Sequence, residues 1–171
     1  MFNIGFVSAE GIAMYNKGDR IVYPLYGAGI IEDLEEKDID GEILTYYILH
    51  IPVGNLTIKI SATKAESLGV RPIRLKQNVL GELCSIVNVS VDMPDNWNLR
   101  YKENMDRIKT GELSQVAIVF RGLLLRERER GLSTAEKKMM TTSKQIILSE
   151  LILSLNIERL EAEDILDKTF N

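Results

Sequence analysis

The sequence predicts an α+β protein of two domains, a small bent β-barrel at the N-terminal side followed by an all-α bundle of about five helices. The spacing of the apolar residues is the first reason. From Lys17 to Ile73 they come in short β-rich runs or in alternation, and from Leu75 onward they recur at helical spacing. The charge is partitioned in the same way. Residues 1–70 carry 5 basic and 10 acidic side chains, residues 98–147 carry 11 and 6, and residues 148–171 carry 2 and 6. A chain of 171 residues also has room for two small domains.

The β-half begins with Ile21-Val22-Tyr23, a run stopped by Pro24, and Gly27-Ala28-Gly29 reads as a bend. Ile30, Ile31 and Leu34 lead to Asp40-Gly41, a strong two-residue hairpin signal, and Ile43 to Ile51 is the returning strand. Leu56, Ile58 and Ile60 alternate with Thr57 and Lys59, the pattern of a half-buried strand. Ser61 to Leu68 reads as a helical turn closed by Gly69, and Val70 to Ile73 as a last short strand. So many short strands in so few residues favour a small barrel of the Tudor-like kind over a sandwich.

In the helical half, Leu75, Val79, Leu80, Leu83, Ile86 and Val87 fit one apolar face. Met93-Pro94-Asp95-Asn96 breaks that helix and offers Asp95 or Asn96 as the next N-cap. Helices are expected over about 97–109, closed by Thr110-Gly111, and over about 114–130, ending at Gly131. Ser133 and Glu136 form a capping-box pattern that opens a long helix through Leu155, and a final helix covers about 158–170. The domains are thus 15–74 and 75–171. Residues 1–14 fit neither half and are set apart as an N-terminal extension, from an upstream start or not native to the protein.

No run of about 18 apolar residues suggests a membrane span, and no signal-peptide pattern opens the chain, so a cytoplasmic protein is expected. One cysteine, Cys84, and one histidine, His50, supply neither a disulfide nor a structural zinc site. No cofactor is expected, and no cluster of titratable residues composes an active site, so the protein is not read as an enzyme. Cys84 reads as a small core residue. Glu35-Glu36 flanks a hairpin tip with no apolar pocket to raise a carboxyl pKa. The net charge of −4 conceals the basic middle segment, which suits either a solvated helix surface or contact with phosphates. Trp97 also has two readings. It is either a core residue of the bundle or, beside Arg100 and Lys102, an apolar wedge for a disturbed minor groove with cations near the phosphates.

The string from Gly18-Asp19-Arg20-Ile21-Val22-Tyr23 through Pro24-Leu25-Tyr26-Gly27-Ala28-Gly29-Ile30 resembles the opening of the CarD family and of the related module in transcription-repair coupling factor. Leu56-Thr57-Ile58-Lys59-Ile60, Lys64-Ala65-Glu66 and Leu68-Gly69-Val70-Arg71 resemble the end of that module. Asn96-Trp97, Arg100-Tyr101-Lys102 and Glu129-Arg130-Gly131-Leu132-Ser133 resemble the C-terminal domain of CarD proteins. The resemblance implies a transcription regulator whose Tudor-like domain binds the RNA polymerase β subunit by β-augmentation, with Lys37 and Lys59 facing the polymerase. It implies that the helical domain contacts the upstream edge of melted promoter DNA through Trp97, Arg100 and Lys102, weakly and largely without sequence preference. The alternative is a Tudor-like protein-interaction module with no DNA contact. Leu99, Tyr26 and Ser61 depart from the family pattern, in which a basic residue, a histidine and a proline are common.

Overall fold

The computed structural model describes residues 15–170, so the extension read over residues 1–14 lies outside the described part. Among the described residues five antiparallel strands, β1 (Arg20–Tyr23), β2 (Gly27–Ile39), β3 (Glu42–Ile51), β4 (Leu56–Ser61) and β5 (Arg71–Pro72), form one sheet in the order β4-β3-β2-β1-β5. β4 and β5 are its two edges and do not pair with each other, so the expected barrel stays open. β5 is too short to close it, and its Pro72 has no N–H to donate.

The Asp40-Gly41 turn forms as expected, with both residues at positive φ (56° and 86°), as a two-residue hairpin turn of this hand requires. Glu32 is an extra residue on β2, because Ile31 pairs with Leu49 and Asp33 with Ile48. Such a bulge increases local twist. Beyond it β2 and β3 continue as a ribbon, and β4 joins only from Tyr46 inward. Tyr47, Leu49 and Ile51, alternate residues of β3, pack with Ile21, Ile31 and Ile60 in the sheet's core.

Five helices follow among the described residues: α1 (Lys76–Ile86), α2 (Trp97–Lys109), α3 (Leu113–Arg130), α4 (Thr134–Leu155) and α5 (Arg159–Phe170). Val116, Val119, Phe120 and Leu123 of α3 meet Met139, Ile147 and Leu151 of α4 in the second core. Every residue from Ile146 to Leu151 is buried, because α4 has helices on one side and β2 on the other. Cys84 is exposed, contrary to expectation. α1 turns Val79, Leu83 and Ile86 inward, and the residue after Leu83 falls about 100° round the helix, on the solvent side.

The contact of α4 with β2 also revises the reading of Gly27-Ala28-Gly29. These residues open β2, pairing with Tyr23, Val22 and Ile21, and the turn itself is Pro24-Leu25-Tyr26. Gly27 is required by close approach: a Cβ there would lie 2.5 Å from Ser149 Oγ, which already accepts the Ala28 N–H at 2.7 Å. Val22 and Ala28 share a small apolar cluster with Leu153. Beside it Glu150, 1% exposed, takes both Arg71 Nη atoms at 2.8 Å and the Arg74 N–H at 2.8 Å. Arg71 also donates to the Gly111 carbonyl, and Arg74 pairs with Glu82 and Glu112. The two halves are therefore joined by packing and by charge.

Candidate functional site

The first surface is the head of α2. The Asn96 side chain accepts the Leu99 N–H at 3.0 Å and caps the helix, so Trp97 is its first residue. Four residues on, Tyr101 stands on the same helix face, and the rings stack with centroids 5.4 Å apart and planes inclined by 22°. Trp97 is 44% exposed, and its indole N–H points to Ser133 Oγ at 3.4 Å. The tryptophan is thus outside the bundle core.

Arg100 and Lys102 have opposite fates. Lys102 is exposed, with no acidic partner among the described residues. Arg100 is 3% exposed, and the expectation that it reaches the DNA backbone needs correction. Its Nε donates to Glu136 Oε1 at 2.7 Å, and its Nη1 donates to the carbonyls of Pro94 (2.6 Å) and Asp95 (2.8 Å). To meet a phosphate it would have to abandon all three acceptors. Glu136 is itself the capping-box residue of α4, and its Oε2 accepts the backbone N–H and the hydroxyl of Ser133. Burial pushes the Glu136 carboxyl up, but the Ser133 and Arg100 hydrogen bonds outweigh it and hold the pKa below the ordinary carboxylate value. Arg100, Glu136 and Ser133 therefore tie the segment before Trp97 to the start of α4.

The sequence showed the capping box but not its partner, because nothing in local spacing joins residues 36 apart. The Trp97–Tyr101 stack had a signal, the i,i+4 aromatic pair, which places both rings on one helix face but leaves open whether that face is buried.

The second surface lies on the sheet. Lys59, on edge strand β4, is 2.5 Å from Glu35 Oε2, and Lys37 is 3.8 Å from Glu35 Oε1. Lys59 also lies 5.8 Å from the centre of the Tyr46 ring. Cross-strand register explains the grouping: Glu35 faces Tyr46, Lys59 faces Ile48, and Lys37 is two residues beyond Glu35. The hydrogen bond from Lys59, with the charges of both lysines, holds the Glu35 carboxyl below its usual value. Among the described residues, the outer edge of β4 has no strand beside it.

Among the described residues no group of three or more His, Cys, Asp or Glu side chains could hold a metal ion, and no helix is long and apolar enough to cross a membrane. An open-edged sheet is thus fastened to a helical body that presents a stacked aromatic pair at its surface. The chain belongs to the CarD family: residues 15–74 match the CarD-like/TRCF RID domain, and residues 84–167 match the CarD C-terminal domain. It is also 38% identical over 142 residues to a Bacillus subtilis (strain 168) protein named "Putative transcription factor YdeB", a match that covers 81% of this chain and 90% of that one.

Proposed function

We propose that this protein regulates transcription by binding the RNA polymerase β subunit through its sheet and stabilising the promoter open complex through its helical half. The free edge of β4 can extend a sheet of the polymerase by β-augmentation, with Lys37 and Lys59 beside the joint. The helical half then meets the upstream edge of the melted DNA, where Trp97 wedges into the minor groove and Lys102 lies near a phosphate. Arg100 acts from inside by holding the wedge in place. A ligand shifts an equilibrium only by its differential affinity for the two states, and a wedge that fits only distorted DNA supplies such a difference.

The observation that carries this reading is Trp97: a large apolar ring held outside the core, stacked on Tyr101, with its helix head tied down by a buried ion pair. Trp97→Ala is expected to leave the melting temperature close to wild type. Open-complex lifetime should shorten about ten-fold, since stacking of a base on an aromatic ring is worth roughly 1–3 kcal/mol. A stable Trp97→Ala protein that supports wild-type lifetimes would favour the alternative, a protein-interaction module with no DNA contact.

A further inference from the structure

Beyond Tyr101 the surface dips into a groove of about 360 Å³ between the β1–β2 turn and helices α2 and α4. Leu25 and Tyr26 form one wall, Tyr101 and Met105 another, and Lys138 and Met139 a third. The size is within the range of small-ligand sites, about 300–1,000 Å³. We infer that this groove receives an unpaired nucleobase of the DNA strand parted at Trp97. The inference rests on the reading of Trp97 proposed above and extends it by a second contact.

The chemistry of the walls selects this occupant. Tyr26 is 47% exposed and stacks on Tyr23 with ring centroids 5.0 Å apart, so the turn offers an aromatic face already supported from behind. Tyr101, on the opposite wall, is supported in the same way by Trp97. Two backed aromatic rings lining a largely apolar groove suit a flat ring, and stacking on such rings tolerates any base. Lys138 is the one charged side chain among the lining residues, and Lys102 and Lys109 lie on the neighbouring strip of α2 with the exposed Asp106 between them, which leaves these four charges net positive. This cationic rim complements the phosphates on either side of an extruded base. The groove also begins at Tyr101, the ring on which Trp97 stacks, so a strand opened by Trp97 is delivered to its mouth. Leu25 has an uncommon backbone conformation. It holds φ = 72°, a conformation that glycine adopts without strain, yet a leucine stands there with its side chain in the groove wall.

The test compares blunt duplex DNA with a forked duplex carrying 2-aminopurine at the first unpaired position, using the full chain at low salt. The wild type should bind the fork about ten-fold more tightly than the blunt duplex, and the probe should be quenched on binding. Tyr26→Ala should bind blunt duplex as wild type does but lose both the fork preference and the quenching, whereas Tyr26→Phe should keep both. A Tyr26→Ala protein with a wild-type melting temperature and an undiminished fork preference would overturn the proposal. So would a Tyr26→Ala defect confined to polymerase binding without DNA, which would mean that a protein segment fills the groove. Trp97→Ala, run in parallel, separates the two ideas. If Trp97→Ala loses fork binding and Tyr26→Ala does not, the groove proposal fails and the wedge stands; if Trp97→Ala also binds the fork normally, the wedge itself has failed.

Discussion

Arg71–Glu150 and Arg100–Glu136 are both arginine–glutamate pairs enclosed by protein, and each has further hydrogen bonds to its members. Their surroundings differ. Glu150 lies within the last two turns of α4, on its buried face, and gathers Arg71 and the Arg74 backbone from the sheet side, so this pair fastens one half of the molecule to the other. Glu136 lies in the first turn of α4 and gathers Arg100 and Ser133, so this pair fixes an exposed helix head. The comparison teaches that the same chemistry serves the rigidity of the whole in one place and the aim of a single side chain in the other. Removing one partner of a buried pair is costly in either place, because the remaining charge is stranded.

The largest effect is expected at the junction. Glu150→Ala leaves Arg71 without its carboxylate and the Arg74 N–H without its acceptor, and should cost about 3–5 kcal/mol of folding stability in urea denaturation. A loss well under 1 kcal/mol would mean that packing of Gly27, Ala28 and Val22 on α4 holds the halves together without the charges.

A smaller loss is expected at the helix head. Glu136→Gln keeps an acceptor for Arg100 but removes the charge, and should cost about 1.5–3 kcal/mol. It should also make Trp97 fluorescence easier to quench and shorten open-complex lifetime, while Glu150→Ala, in its folded state, should leave Trp97 fluorescence unchanged. Because Trp97 is the chain's one tryptophan, its emission reports on this site alone. The pH dependence gives an independent reading. The folded Glu136 pKa is lowered, so its contribution is fully present above the ordinary value of 4.5 and is lost as pH falls through the lower folded value. Wild type and Glu136→Gln should therefore converge in stability in acid. Parallel curves down to low pH would contradict a lowered pKa.

The smallest effect on stability is expected at the exposed cluster on the sheet. Lys37→Glu with Lys59→Glu should leave the melting temperature almost unchanged, since exposed pairs contribute little. Affinity for RNA polymerase should nevertheless fall, and a folded double variant with wild-type affinity would remove these lysines from the proposed interface.

The sequence by itself determined the elements whose signals are local. The Asp40-Gly41 turn, the Asn96 cap and the Ser133–Glu136 capping box are each set by residues within about four positions of one another, so their hydrogen bonds can be read from spacing. The change from strand to helical period placed the two halves for the same reason. Tertiary structure decided which faces were covered. Gly27-Ala28-Gly29 opens a strand because α4, more than a hundred residues away, lies across it. Cys84 is exposed because its neighbours take α1's only packed face, and the sheet stays open because β5 has two residues to offer. Arg100 and Lys102 look alike in sequence, yet one is buried against Glu136 and the other is in solvent. Burial depends on where distant segments pack, and no spacing along a single helix encodes it.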